Sequence, residues 1–317
     1  VVEETVLVTG GCGFVGGRMV ADLKAAGHPV RVLDIPRADF SRADALGARC
    51  LSGSVVDGES VRTALGSSRV VYHMAGPDAR IRDPRFIRKM VIAGAQVLME
   101  EVEDSRVELV VAASTTGVYG RSATPAGVDA PVAPRNELER AKLEMEAALA
   151  RGAARAGVRA VALRMGTVYG PGDGGVIDRL LPRVRDPRPV PLPRKGYVNP
   201  VCVEDVSAAA LGIARQRDKL PEGALDVFNC ADSAPLPPGK LLRILAEAAG
   251  AADGTPPLKP GIFGRGPDGW IRMRGRTVRL VDAAPVGSAK LCALVRAWPR
   301  YATLQRYLCS QPSGPTC

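Results

Sequence analysis

Residues Val8–Gly16 read VTGGCGFVG. Just before the glycines, Thr5–Thr9 (TVLVT) is a short β-branched run that predicts a buried strand. Just after them, Phe14–Ala26 predicts a helix, with Gly27 as its stop signal. In that setting each glycine has a distinct reason. Gly10 permits the tight turn, Gly13 lets the backbone approach a pyrophosphate, and Gly16 allows the helix to pack closely on the strand. The N–H groups opening the helix at Phe14 and Val15, and its positive dipole end, favour the same anion.

Outward from this stretch, strands and helices alternate. Val30–Leu33, Ala48–Leu51, Val70–His73, Glu108–Ala113 and Val158–Arg164 predict strands. Between them, Gly58–Leu65, which Asp57 is placed to cap, Arg85–Val102 and Glu137–Ala156 predict helices. The alternation implies an α/β fold with a doubly wound parallel sheet of the Rossmann type. After Gly166 proline and glycine become frequent, over Pro171–Gly175, Pro182–Pro193, Pro235–Gly239 and Gly254–Gly269. Residues 1–165 are therefore expected to form the dinucleotide-binding domain. Residues 166–317 are expected to be mostly a smaller substrate lobe over the carboxyl edge of the sheet, interleaved with late Rossmann elements.

Asp34 ends the second strand, eighteen positions after Gly16. A carboxylate there accepts hydrogen bonds from ribose hydroxyls and repels a 2′-phosphate, which favours NAD over NADP. Arg37 argues the other way, because a nearby arginine accommodates that phosphate.

Composition narrows the remaining classes. Aromatics make up only 4% of the 317 residues, so Ala, Val and Leu must fill the core. The net charge of +10, concentrated in Arg265–Arg279 (RGPDGWIRMRGRTVR), reads either as a solvated arginine-rich surface or as a site for anionic, pyrophosphate-bearing ligands. No basic stripe comes with a recognisable module or stacking aromatics, which argues against nucleic acid. Met90–Met99 is too short to span a bilayer, and no secretory signal is visible at the start. The seven scattered cysteines form no Cys-x-x-Cys pair, and His28 and His73 are the only histidines. A reduced cytoplasmic chain without a zinc site is the expectation, with Cys309 and Cys317 able to pair on oxidation.

The glycine spacing of TGGCGFVG resembles the short-chain dehydrogenase/reductase family, and further segments resemble its extended branch, the NAD-dependent epimerase/dehydratase type. Tyr72–Gly76 (YHMAG) resembles the segment beside the cofactor, and Ser114–Gly120 (STTGVYG) the catalytic Ser/Thr segment. Arg164–Gly172 (RMGTVYGPG) resembles the strand and loop that follow. Val198–Val206 (VNPVCVEDV) resembles a further family segment, with Cys202 in place of its His. Ala289–Leu308, containing Trp298-Pro299, resembles the usual C-terminal stretch.

The resemblance implies catalysis by a Ser or Thr, a Tyr and a Lys, with a supporting Asn. Thr115 falls at the Ser/Thr position and Lys142 at the lysine, where it would also hold the nicotinamide ribose. Leu138 occupies the tyrosine position, and Val91 the place of the Asn. Arg135, Leu138 and Lys142 share one helical stripe, so Arg135 is a candidate for stabilising an oxyanion. Tyr119 and Tyr169 sit on motif loops near the expected site. Glu137 and Glu139 are expected on other faces of the helix, and Cys202 would be reactive only with a lowered pKa. The candidate catalytic residues are thus Thr115, Lys142, Arg135 and Tyr169. The cofactor set is Gly10, Gly13, Phe14, Val15, Gly16, Asp34, Ala75, Gly76 and Lys142.

Three readings stay open. One is an atypical NAD-dependent epimerase/dehydratase-like enzyme acting on a nucleotide sugar or small biosynthetic metabolite. The second is a cyclase, isomerase or lyase that keeps NAD as a structural part of its pocket. The third is a non-catalytic NAD-binding protein. The resemblance also implies a homodimer.

Overall fold

The computed structural model describes residues 4–77, 81–120, 126–171, 196–232, 235–248, 270–273, 276–279 and 288–295. In chain order the first half runs β1 (Val6–Thr9), α1 (Phe14–Ala25), β2 (Val30–Asp34), α2 (Ser41–Ala45), β3 (Arg49–Ser52), α3 (Gly58–Leu65) and β4 (Val70–His73). It continues with α4 (Pro84–Arg88), a π-helical turn (Lys89–Ala93), α5 (Gly94–Glu103), β5 (Leu109–Thr115), a 3₁₀ turn (Thr116–Tyr119), α6 (Glu137–Ala156) and β6 (Arg159–Met165). Then come β7 (Thr167–Tyr169), β8 (Pro200–Cys202), α7 (Val203–Arg215), a 3₁₀ turn (Arg217–Lys219), β9 (Leu225–Cys230), α8 (Pro238–Ala248), β10 (Trp270–Met273), β11 (Arg276–Arg279) and α9 (Ala289–Leu294).

Seven strands form one parallel sheet in the order β3-β2-β1-β4-β5-β6-β9. The strand order reverses between β1 and β4, and ligands of open α/β sheets bind in the crevice at the carboxyl ends of such strands. A parallel sheet is covered on both faces, and the alternation along β1 shows how. Val6 and Val8 face the core shared with Val20 and Leu23 of α1 and Val206 and Ile213 of α7. Leu7 faces the opposite core, with Val61, Leu98 and Met145 of α3, α5 and α6. An Arg18–Glu204 ion pair (2.5 Å) ties α1 to α7.

One feature departs from the sequence reading. The helix expected over Arg85–Val102 is broken by the π-helical turn, which holds Val91 buried against the core. A π turn adds a residue to the helical repeat without changing the apolar pattern on either side, so periodicity does not reveal it. Beyond Gly166, β9 returns to the main sheet beside β6 and α7 covers one face. The Pro- and Gly-rich stretches Pro182–Pro193 and Gly254–Gly269, most of Pro171–Gly175, the Trp298-Pro299 segment, Cys309 and Cys317 lie outside the described residues, as does part of Arg265–Arg279.

Candidate functional site

The glycine loop sits at the β1–β4 crevice. Gly10 has φ +70°, and a side chain on it would strike the backbone of Ala75 at 2.7 Å. A Cβ on Gly16 would stand 2.1 Å from the Gly10 carbonyl oxygen. These two glycines are thus required by the loop's own packing. Gly13 and Gly76 are different. Gly13 is exposed, and among the described residues a Cβ there would meet only the Gly10 oxygen within 4 Å, at 3.2 Å; at Gly76 it would meet none of them. Their bareness leaves backbone open toward a ligand, as a pyrophosphate cradle requires. The Phe14 ring lies beside Gly170, which brings the loop after β7 to the same edge.

Asp34 closes the crevice at the end of β2. Its Oδ2 accepts from the Cys12 backbone N–H at 2.9 Å and its Oδ1 from Ile35 N–H at 2.8 Å. The carboxylate is fixed in position and each oxygen keeps a lone pair for a sugar hydroxyl. Arg37, in the loop just beyond, is exposed. These residues fit an adenine dinucleotide.

The expected catalytic positions lie where α6 runs along β5. Lys142 is 9% exposed, and its Nζ donates to the Ala113 carbonyl at 2.5 Å, with Met145 Sδ at 3.8 Å. Burial pushes its ammonium down to about 8, against a smaller upward pull from Glu146. Two residues further along β5, Thr115 Oγ1 accepts from Gly117 N–H at 3.1 Å, capping the 3₁₀ turn. That bond leaves the hydroxyl proton for another acceptor. Leu138, one turn before Lys142, packs partly buried against the core that contains Val91. Leu138 and Val91, expected at the family's tyrosine and asparagine positions, are thus both engaged in apolar packing.

Beneath this lies a buried polar network that the sequence reading missed. Arg164 forms a two-bond fork with Glu146 (2.6 and 3.0 Å), and the same carboxylate accepts from Ser114 Oγ at 2.5 Å. Arg164 also donates to the Tyr119 hydroxyl at 2.8 Å, and that hydroxyl donates to Asn229 Oδ1 at 2.7 Å. Adjacent residues of β5, Ala113 and Ser114, thus hold two successive turns of α6. The available signal was a charged residue inside the apolar strand VALRM of β6, together with a glutamate four positions after Lys142.

The other candidates are held by their surroundings. Tyr169 is fully buried on β7, 3.3 Å from Asp232 Oδ2, and burial raises its pKa far above the usual phenol range. Burial likewise raises the Tyr119 phenol and pushes the Cys202 thiol up to about 12, so neither is an activated nucleophile or base. Arg135 stands half-buried just before the head of α6. Glu139, expected simply to face elsewhere, is 2% exposed, and its carboxylate lies against Gly117 beside the Thr115 turn. It accepts from Arg135 N–H at 2.6 Å, while Asn136 Oδ1 caps Glu139 N–H at 3.0 Å. In the YHMAG segment, Thr9 Oγ1 and His73 Nδ1 are 2.9 Å apart. His73 is held neutral by burial, its pKa lowered to about 3, and its Nε2 has no hydrogen-bond partner among the described residues.

Comparison with known proteins agrees with this fold. The family model described as "NAD dependent epimerase/dehydratase family" matches residues 6–231. The chain is 26% identical over 250 residues to 4-hydroxy-2-methyl-3-oxo-4-farnesyl-3,4-dihydroquinoline-1-oxide ketoreductase of Stigmatella aurantiaca, covering 77% of this chain and 72% of that one. It is 30% identical over 177 residues to UDP-glucose 4-epimerase of Azospirillum brasilense, covering 54% of this chain and 51% of that one. It spans about half the length of several curated relatives that it matches. Among solved structures, the UDP-glucose 4-epimerase of Thermus thermophilus in complex with NAD superposes with a TM-score of 0.75 at 27% identity, covering 96% of each chain. With the sheet, the glycine loop and the Thr115–Lys142 arrangement in place, this chain belongs to the NAD-dependent epimerase/dehydratase family.

Proposed function

We propose that this chain is an NAD-dependent enzyme of the epimerase/dehydratase type, acting on a nucleotide sugar or a related small biosynthetic metabolite without the family's tyrosine. The observation that carries the reading is Lys142 held on Ala113, two residues from Thr115, at the edge where the glycine loop and Asp34 open. Gly10, Gly13, Phe14, Val15, Gly16, Ala75 and Gly76 would hold the diphosphate side of the cofactor. The Asp34 carboxylate favours NAD over NADP.

Bound there, NAD supplies a hydride acceptor and donor. Lys142 exchanges a proton with a substrate hydroxyl at Nζ, its pKa of about 8 making both protonation forms accessible. Thr115 directs its hydroxyl proton to a substrate oxygen. Arg135 is assigned to the substrate's negative charge, and Tyr169 to the wall of the site. Residues 166–317 would form mostly the substrate lobe, and the enzyme would act in the cytoplasm. Among the described residues no helix is long and apolar enough to cross a membrane.

A second reading is favoured by Leu138. Because this side chain packs into the core, NAD retained as a structural group in a non-redox isomerase or lyase fits the same geometry. One experiment separates the two. Any ligand carried by the purified protein is identified by mass, and the near-ultraviolet nicotinamide absorbance is followed during turnover of UDP-glucose and related nucleotide sugars. Transient reduction during product formation supports the redox reading. Product with unchanged absorbance supports the second. Absence of nicotinamide dinucleotide binding at saturation overturns both.

A further inference from the structure

In the register of β2 and β3, Arg31 lies directly opposite Arg49. Like charges facing each other across neighbouring strands destabilise the pair. Both residues are at the amino ends of their strands, at the edge of the sheet opposite the glycine loop. A cavity of about 390 Å³ opens there, and Lys24, His28, Arg31, Arg49, Thr5 and Ser67 contribute to its wall. None of its described lining residues carries a carboxylate.

The charges in this wall are not neutralised by the protein around them. Lys24 and Arg49 have no ion-pair partner among the described residues. The acids closest in sequence to Thr5 and Lys24 are engaged elsewhere, Glu4 with Arg69 and Arg217 and Asp22 with Arg18. Arg31 donates Nε to the Ala64 carbonyl and Nη2 to the Thr63 carbonyl, both at 2.6 Å, which caps the end of α3. Its Nη1 makes no hydrogen bond among the described residues. Burial, reinforced by the neighbouring Arg49, pushes the Arg31 guanidinium below its usual range. Two opposed guanidiniums, an ammonium and an imidazole around one concavity match a compact multivalent oxyanion.

We propose that this cavity binds a small polyanion of the phosphate class, at a site separate from the cofactor crevice. Its size suits inorganic pyrophosphate or a phosphorylated metabolite. The probe is inorganic pyrophosphate, titrated calorimetrically into the full chain. Arg49→Glu and Lys24→Ala should each weaken that binding at least tenfold. Gly13→Val, which fills the other place suited to a diphosphate, should leave the component lost in Arg49→Glu intact. Glucose 6-phosphate in a parallel titration separates the sources: tighter binding than pyrophosphate identifies a phosphorylated metabolite, weaker binding a free oxyanion. No pyrophosphate binding by the wild-type chain, or binding unchanged in Arg49→Glu and Lys24→Ala, would overturn the proposal. A second readout needs no ligand. In anion-free buffer Arg49→Glu should raise the melting temperature, because it places opposite charges across β2 and β3. A fall would refute the premise that the cavity's charge is uncompensated.

Discussion

Two successive turns of α6 bury opposite charges and treat them in opposite ways. At Glu146 the carboxylate meets a bidentate guanidinium and a serine hydroxyl, so every strong interaction it needs is supplied within the protein. At Lys142 the ammonium meets one neutral carbonyl and a thioether. The first group is fully paired inside the protein. The second is held where its charge is expensive, and its pKa has moved to about 8. The comparison teaches that burial alone does not make a group reactive. Reactivity follows when burial comes without a compensating partner, which is the condition under which a side chain changes protonation near neutral pH.

The contrast can be broken most severely at Lys142. Lys142→Met should lower turnover by roughly 10²–10⁴-fold, the usual contribution of a positioned acid-base group, while circular dichroism reports an intact fold. Lys142→Arg should lose the limb of the pH–rate profile that rises through about pH 8, because arginine does not deprotonate there. Unchanged turnover in Lys142→Met would make the lysine a structural group like its neighbour. Next in size, Glu146→Ala strips the fork from Arg164 and leaves a buried cation. Urea denaturation should show a loss of about 3–5 kcal/mol, with Glu146→Gln losing less.

A third test uses His73, another buried group without full compensation. Its folded pKa, about 3, lies below the unfolded value of 6.5, so within that window the unfolded chain binds the extra proton. Stability should therefore fall as pH drops from 6.5 toward 3, by up to about 1.4 kcal/mol per pH unit from this residue. His73→Asn should flatten that slope in acid-range urea titrations. The smallest expected effect is at Leu138. Leu138→Tyr should raise hydride transfer to a bound alcohol several-fold, read from nicotinamide absorbance. No gain with a substrate that demonstrably binds would show that the apolar packing around Leu138 has displaced the redox geometry.

The parts of the fold that were legible in the sequence are those with local causes. The helix predicted over Glu137–Ala156 occupies those residues, and Asp57 caps the helix after β3 through Ser60 N–H. The glycine loop was readable because strand, turn and helix signals are contiguous. What the sequence concealed depends on distant partners. Arg164 is satisfied by Glu146 on α6 and by Tyr119 after β5, and Tyr119 in turn by Asn229 on β9; no local pattern joins these positions. The burial of Glu139 was hidden for the same reason, since Gly117 comes to it only when β5 and α6 pack. In the candidate site, the structure brings Thr115 and Lys142 to neighbouring points on β5, sets Arg135 before the head of α6, and encloses Tyr169.

The pairing of β6 with β9 has a consequence for how the chain is made. During synthesis the first six strands leave the ribosome well before residues 225–230, so Val161 and Leu163 wait on an unpaired parallel edge while the whole stretch from Gly166 to Ala224 is translated. Tyr119 emerges still earlier, and its acceptor Asn229 arrives with the last strand of the main sheet. Long-range closure of this kind is slow. The nascent protein is therefore most exposed to aggregation and proteolysis just before β9 appears, and chaperone dependence should be concentrated in that interval.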